Sequence, residues 1–207
     1  MSGCQPDQVV RDHLRLVGAE GTPRPSLLVC LDLQRSAISR QGEREGAAAG
    51  LGRETREGLS NCRRVLAHAR EQDWSIVHVH RKGRTDGGMS RPIERLEPRP
   101  TEPVMTRDGP SAFACRHFRD LLRGADRVQL ILIGFGWTTS CLATVFAARD
   151  RGMGVVVVED AMGEESEPAD DEGRAQAAAR ILARRFARMA TTDSMVGNPT
   201  LRLAASR

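Results

Sequence analysis

The chain has 207 residues, of which 31 are basic and 27 acidic, with a formal net charge of +4 and 40% hydrophobic residues. This length favours a single domain with one packed core. The positive charge comes almost wholly from scattered arginines, since Lys82 is the only lysine. No basic block with interleaved aromatics occurs, which disfavours nucleic acid as a partner and leaves a small anionic substrate compatible.

The composition also indicates in which cellular compartment the protein is expected. No stretch approaches the ~20 apolar residues of a membrane span, and the first 25 residues are polar and charged, without the apolar core of a signal peptide. The five cysteines are an odd number, which fits reduced thiols better than a disulfide framework. We therefore expect a cytoplasmic protein with no membrane partner.

Three regions follow one another along the chain. Apolar residues at helical spacing between positions 10 and 17 predict a short helix, so residues 1–25 form an N-terminal helix and linker. Residues 26–196 carry alternating apolar and polar segments typical of a packed domain. Residues 197–207 form a C-terminal tail.

The first half of the domain begins with an apolar run over 27–31, which predicts a buried strand. The polar stretch 35–58, rich in glycine and alanine at its centre, predicts a loop. A helix follows, with its apolar stripe formed by Leu59, Cys62, Leu66 and Ala69. Residues 75–80 predict the next strand, and 81–103, rich in Arg, Gly and Pro, predicts one wall of a pocket.

The second half repeats this alternation. Residues 103–105 predict a short edge strand, 128–133 a central strand, 155–159 a further buried strand and 188–192 another edge strand. Helices between them are marked by Phe113, Phe118, Leu121 and Leu122, and later by Ala175, Ala179, Leu182 and Phe186. Strands alternating with helices predict an α/β domain of three α/β/α layers around a mostly parallel sheet of five or six strands.

Chemically active side chains follow three of these strands. Asp32 and Gln34 come directly after the first strand, and Arg107 follows the edge strand. The central strand breaks at glycine and leads to Ser140 and Cys141 at the start of a helix. That order places a hydroxyl or thiol at a helix N-terminus, at the carboxyl edge of a parallel sheet.

From about 26 to 196 this pattern resembles the isochorismatase-like hydrolase superfamily, the cysteine hydrolases that include nicotinamidase and isochorismatase. Asp32-Leu33-Gln34 matches the Asp-x-Gln of the family, and Arg107 falls on its catalytic lysine, just before a Ser-Ala-Phe triplet. The resemblance implies the isochorismatase-like, Rossmann-like fold, a small-molecule substrate, and a homo-oligomer that is a dimer or tetramer.

The nucleophile position is open between two residues. Counted from Gly134 without gaps, the family spacing falls on Ser140, and Cys141 sits one place too late. Chemistry favours Cys141, because a serine without a nearby histidine is a poor nucleophile and a thiol is easier to activate. The alternative for Cys141 is a small buried apolar residue of the helix. The isochorismatase branch resembles this chain in having a non-cysteine residue followed by cysteine, and it works without a covalent intermediate.

The other roles follow from residue chemistry. Asp32 would serve as general acid or base, or would simply cap the next element. Arg107 keeps the positive charge of the family lysine without titrating near neutrality, so it would hold Asp32 ionised or bind a substrate carboxylate. A surface ion pair is the alternative for Arg107. Gln34 would orient Asp32 or contact substrate, or would serve as a plain structural amide.

The turn before the helix supplies the remaining candidates. The resemblance implies a cis peptide between Phe135 and Gly136 at the oxyanion hole. We expect Gly136, Trp137 and Thr138 to contact substrate. Trp137 would stack on a planar ligand or pack against the sheet. We also expect Phe113 to contact substrate.

A metal site is not expected. His78 and His80 share one face of a strand, but a third ligand is missing. His80 at the strand end would either contact substrate or form hydrogen bonds with its neighbours in the protein. No other cofactor is indicated. Three functions therefore remain: an isochorismatase-like hydrolase of a small anionic metabolite without a covalent intermediate, a cysteine amidase using Cys141, and a binding or accessory protein with reduced catalysis.

Overall fold

The computed structural model describes residues 26–38, 53–82, 91–125, 128–164 and 170–197. The predicted N-terminal helix and linker over 1–25 lie outside the described residues, as do the glycine- and alanine-rich loop centre and all of the tail beyond Gly197. The predicted pocket wall over 81–103 is described in part, since positions 83–90 also lie outside.

Six strands form one sheet in the order β3-β2-β1-β4-β5-β6, and every neighbouring pair is parallel. The strands are β1 (Ser26–Leu31), β2 (Ile76–Arg81), β3 (Val104–Arg107), β4 (Gln129–Phe135), β5 (Gly154–Gly163) and β6 (Arg188–Ala190). The predicted strands are confirmed, and β3 and β6 lie at the two edges as expected. The mostly parallel sheet is confirmed as well.

Helices cover both faces of the sheet. They are α1 (Arg35–Ile38), α2 (Arg53–Glu71), α3 (Arg116–Leu121), α4 (Leu142–Arg149), α5 (Asp170–Phe186) and α6 (Thr192–Val196). Apolar residues of α2 and α6 pack on one face, and those of α3, α4 and α5 on the other. The three-layer α/β/α architecture is therefore confirmed. Within the described ranges, none of these helices is long and apolar enough to cross a membrane.

Helix α2 shows how the apolar stripe builds one layer. All four predicted apolar positions of this helix are buried. The helix begins at Arg53, earlier than the predicted loop end at position 58, because its exposed first turn needs no apolar residue. Glu54 lies in that first turn, where a negative charge favours the helix dipole.

Two predicted helices differ from expectation. Phe113 belongs to a short 3₁₀ turn before α3, because Ser111 caps that turn by accepting the Phe113 N–H at 3.1 Å. In α5, Ala179 is buried as predicted, but Leu182 and Phe186 are each 42% exposed. The small side chains of Ala179 and Ala183 instead form the buried part of this helix.

Gly134 brings the ends of β1 and β4 together. Its φ is +130°, and a Cβ at this position would lie 1.9 Å from the Leu31 carbonyl oxygen. No other residue fits such an approach. The pairing of β4 with β5 shifts register between Leu132 and Gly134. This irregularity bends β4, so that the chain after β4 runs toward the carboxyl end of β1.

Candidate active site

Four polar side chains follow the carboxyl ends of four neighbouring strands. Asp32 comes directly after β1 with a φ of +49°, and its N–H donates to the Val79 carbonyl at 3.0 Å. Arg81 and Arg107 are the last residues of β2 and β3 and are paired in the sheet register. Ser140 lies in the turn after β4. A non-glycine residue in the left-handed region is a strained feature that clusters at functional sites.

A single π-helical turn carries Ser140. It spans Trp137–Cys141 and leads directly into α4. Gly136 begins it in the left-handed region, with a φ of +91°, and its carbonyl accepts the Cys141 N–H at 2.8 Å. The expected cis peptide between Phe135 and Gly136 is wrong, because every peptide bond of the described residues is trans. The left-handed glycine reverses the chain instead.

Ser140 Oγ forms hydrogen bonds with three charged side chains of the site. It donates to Asp32 Oδ2 at 2.6 Å and accepts from Arg107 Nη2 at 2.5 Å and from Arg81 Nη2 at 3.1 Å. Arg107 Nη2 also donates to Asp32 Oδ2 in a buried ion pair. The structure thus brings together Asp32, Arg107 and Ser140, the three residues that the sequence placed at strand ends.

The two arginines differ in exposure. The Arg107 side chain is 0% exposed and also donates through Nη1 to the Gly109 carbonyl. The Arg81 side chain is 37% exposed, and its Nη2 lies 3.6 Å from Asp32 Oδ2. Arg107 is therefore not a surface ion pair, which was the alternative for it.

Sequence reasoning missed Arg81. The predicted strand stopped at His80, one residue short of the true end, so Arg81 was assigned to the following loop. The signal that could have found it is positional, because Arg81 ends its strand as Arg107 ends the neighbouring one.

The two carboxylate oxygens of Asp32 have different surroundings. Oδ2 takes the hydrogen bonds from Arg107 and Ser140. Oδ1 is buried and has no hydrogen-bond partner among the described residues. A buried carboxylate oxygen without a donor is costly. Among the described residues, Oδ1 is therefore the carboxylate oxygen of Asp32 whose hydrogen-bonding capacity is unused.

Cys141 has a different environment from its neighbour. It is fully buried and belongs to the apolar core between the sheet and α4. Burial raises the pKa of the Cys141 thiol well above its ordinary value, and the negative charge of Glu164 raises it further. A thiol held neutral in this way is a poor nucleophile.

Gln34 and Thr138, two further residues predicted for the site, form hydrogen bonds with neighbouring residues. The Gln34 amide binds the Arg81 backbone on both sides, accepting its N–H at 2.8 Å and donating to its carbonyl at 3.2 Å. The Thr138 N–H donates to Glu164 Oε2 at 3.1 Å. Thr138 therefore lies beside a carboxylate at the start of the π-helical turn.

The two aromatic candidates lie inside the protein. Trp137 is fully buried, with the Arg180 guanidinium 5.6 Å from its ring centre. Phe113 is buried edge-to-face against Phe118. Side chains on a tight turn can face either the substrate or the apolar core. Both of these rings pack in the apolar core. Their contact with substrate stays a prediction.

The strand histidines face away from Ser140. His78 and His80 lie on the opposite face of β2 from Arg81, since alternate residues point to opposite sides. His78 Nε2 is 2.9 Å from Glu102 Oε2. Within the described parts of the chain, no group of three or more His, Cys, Asp or Glu residues is arranged to hold a metal ion.

A parallel α/β sheet with a carboxylate, a buried cation and a turn-borne hydroxyl at its carboxyl edge is typical of enzymes that act on small molecules. The family model described as "Isochorismatase domain" matches residues 26–194. The chain belongs to the isochorismatase family.

Solved structures are similar to this chain. A crystal structure of an isochorismatase from Pseudomonas putida shares 27% identity, covers 82% of this chain and 89% of its own, and has a TM-score of 0.67. A cysteine hydrolase from Pseudomonas syringae shares the fold at 18% identity, with a TM-score of 0.69 and coverage of 88% and 95%.

A curated relative matches a shorter segment. The secreted isochorismatase effector of Verticillium dahliae is 28% identical over 79 residues, which is 38% of this chain and 42% of the effector. The match thus spans less than half of the length of that relative.

Proposed function

We propose that this protein hydrolyses a small anionic metabolite by general acid/base chemistry at Asp32, with Arg107 as an electrostatic clamp and without a covalent intermediate. The observation that carries the proposal is the buried Asp32 Oδ1, which has no hydrogen-bond partner among the described residues. Arg107 and Ser140 occupy Oδ2, which leaves Oδ1 for proton transfer with substrate or water.

The clamp role of Arg107 follows from its bonds. Its guanidinium pairs with Asp32 and is held in place by the Gly109 carbonyl. An arginine does not exchange protons near neutrality, so it supplies fixed positive charge. That charge keeps the carboxylate oriented and favours negative charge that develops on the substrate.

Neither candidate nucleophile is well placed for covalent catalysis. The Ser140 hydroxyl accepts from both guanidinium groups, so both lone pairs of its oxygen are engaged. The Cys141 thiol is buried in the apolar core with a raised pKa. These environments support direct hydrolysis, with Ser140 holding the carboxylate in position. No observation of the site favours the amidase alternative through Cys141.

Turnover of a substrate panel tests the proposal. Amides and enol-ether carboxylic acids are incubated with the protein and followed by mass spectrometry. Asp32→Asn keeps the shape of the side chain but removes its acid/base chemistry, so we expect turnover to fall by roughly 10²- to 10⁴-fold. Asp108→Asn is the matched control, because Asp108 is exposed and pairs only loosely with Lys82 at 3.8 Å.

Two outcomes would contradict the proposal. Asp32→Asn with the rate of the wild type would remove Asp32 from the chemistry. Absence of turnover for every compound, together with tight binding of some of them, would favour the binding-protein alternative. Thermal unfolding of each variant separates a lost reaction from a lost fold.

A further inference from the structure

Helix α5 presents apolar side chains to solvent in its last two turns. Among the described residues, four large hydrophobic side chains are exposed, and three of them are Ile181, Leu182 and Phe186 of this helix. Ile181 is 62% exposed. Phe186 packs edge-to-face on Phe146 of α4, with ring centres 5.1 Å apart, so the apolar patch continues onto that helix. Exposed hydrophobic side chains that are clustered in this way indicate an interaction surface.

The patch belongs to a longer exposed stripe along α5. Residues three and four positions apart lie on one face of a helix, and this spacing connects Ile181 and Leu182 with Ala178, the middle residue of α5. The small side chain of Ala178 lets a second helix approach closely at this point. We call this face the outer stripe, and its exposed members are Arg174, Ala175, Ala178, Ile181, Leu182 and Arg185.

The charged residues at the two ends of α5 have opposite signs. The helix begins with three acidic residues, at positions 170–172, and its last turn contains Arg184 and Arg185. Two copies of α5 that lie antiparallel place the acidic beginning of each helix beside the basic end of the other. Two parallel copies would bring like charges together at both ends. The charges therefore favour an antiparallel pair, which is the arrangement that a twofold axis across the helices produces.

A second copy of this chain matches the outer stripe better than an anionic membrane surface does. A membrane surface would attract Arg184 and Arg185 but would repel the acidic beginning of the helix. An antiparallel copy has the complementary charge at both ends and an apolar middle between them. The outer stripe is thus complementary to itself, as an interface between identical subunits requires.

We infer that this protein forms a homodimer in which the outer stripes of two α5 helices pack antiparallel, with the twofold axis at Ala178. Symmetry places Ala178 beside its own copy, and Ala175 beside Ile181 of the partner subunit. A small side chain thus faces a large one. Burial of Ile181 in this interface removes its apolar surface from water, which favours association. The interface does not include Asp32 or Ser140, so the homodimer is independent of the proposed function.

Disulfide crosslinking tests this interface directly. Every protein in the test carries Cys4→Ser, because the cysteines within the described residues are buried. We expect Ala178→Cys to form a disulfide-linked dimer on mild oxidation, since two copies of this residue meet at the twofold axis. The matched control is Ala177→Cys, because Ala177 is exposed but points about 100° away from Ala178 around the helix. Its crosslinked fraction on non-reducing gels should be several times smaller.

A mixed crosslinking experiment tests the antiparallel direction. In an antiparallel pair centred on Ala178, two copies of Ala175 lie about 9 Å apart along the helix axis, which is too far for a disulfide. Ala175→Cys and Ile181→Cys should therefore each crosslink poorly alone and should crosslink to one another when the two proteins are mixed. Strong crosslinking of Ala175→Cys alone would indicate a parallel pair and contradict the proposed arrangement.

Sedimentation equilibrium measures the mass of the protein in solution. We expect the wild type to sediment at twice the chain mass of 22.7 kDa. Ile181→Asp should raise the dissociation constant of the dimer about tenfold or more, because a charge would then be buried in the interface. Val104→Asp is the matched control, since Val104 is the fourth exposed hydrophobic residue and lies on the edge strand β3. It should leave the dimer unchanged.

Three results would overturn the inference: a monomeric wild type, unchanged dimerisation of Ile181→Asp, or equal crosslinking of Ala177→Cys and Ala178→Cys. A monomer that cosediments with phosphatidylserine vesicles, and loses this binding in Ile181→Asp, would assign the outer stripe to a membrane surface instead. None of these measurements needs turnover, so their failure is separate from failure of the proposed function.

Discussion

Arg107 is an arginine whose side chain is completely buried, and Asp32 is its charged partner. Taking two charges out of water is costly, and their attraction offsets that cost only when further hydrogen bonds complete the geometry. Ser140 and the Gly109 carbonyl supply such bonds. The pair is therefore sensitive to loss of either partner.

Removing one charge of this pair should be more harmful than removing both. We expect Arg107→Met to lower the free energy of unfolding by about 3–5 kcal/mol, because buried Asp32 loses its close partner and keeps only the longer contact with Arg81. The double variant Asp32→Asn/Arg107→Met should recover part of that loss. Urea denaturation of the single and double variants measures the coupling between the two residues.

The control for this cycle is Arg123→Met. Arg123 pairs with Asp120 on the protein surface, where ion pairs contribute about 0–1 kcal/mol. A loss for Arg107→Met no larger than that for Arg123→Met would show that the buried pair does not behave as an ion pair in solution.

At the scale of elements, a buried polar network ties β2 to α2 and to the segment before β3. Glu102 accepts from Arg70 Nε at 2.7 Å and from the Arg99 N–H at 2.9 Å, and its Oε2 lies 2.9 Å from His78 Nε2. Burial alone would raise the pKa of Glu102, but hydrogen bonds from Arg70 and His78 outweigh it and hold the pKa well below its usual range. The contacts of Glu102 with Arg70 and His78 join residues distant in sequence, so hydrophobic spacing could not reveal them.

His80 lies beside this network on the same face of β2. Burial lowers the pKa of His80 to about 4, and the neighbouring His78 adds to the effect. In the unfolded chain the pKa is about 6.5. Between these values the unfolded chain binds a proton that the folded protein does not, so stability falls as the pH falls. The expected slope is about 1.4 kcal/mol per pH unit.

Urea denaturation between about pH 7.5 and 5 checks this slope. His80→Gln removes the titrating ring, so we expect its stability to change less over this range than that of the wild type. His117→Gln, which alters an exposed histidine of α3, should follow the wild type. Parallel curves for His80→Gln and the wild type would contradict a neutral buried His80.

At the scale of the whole molecule, the centre of the sheet could be predicted because β1, β4 and β5 each contain a continuous apolar run. The alternation of strands and helices then determined the parallel arrangement, and Asp32, Arg107 and Ser140 could be predicted as strand-end residues. Arg81 could not be recognised, since an arginine one residue beyond a predicted strand resembles the many surface arginines of this chain. The burial of Trp137 depends on packing by distant elements, which local spacing does not report.

Hydrolysis without a covalent intermediate is the central property proposed for this protein. Rapid quenching of the wild type during turnover, followed by intact-protein mass spectrometry, tests this most directly on any substrate found in the panel. We predict the unmodified protein mass at every time point, because Ser140 is engaged by two guanidinium groups and Cys141 is buried. A transient mass increase that peptide mapping assigns to Ser140 or Cys141 would contradict the account.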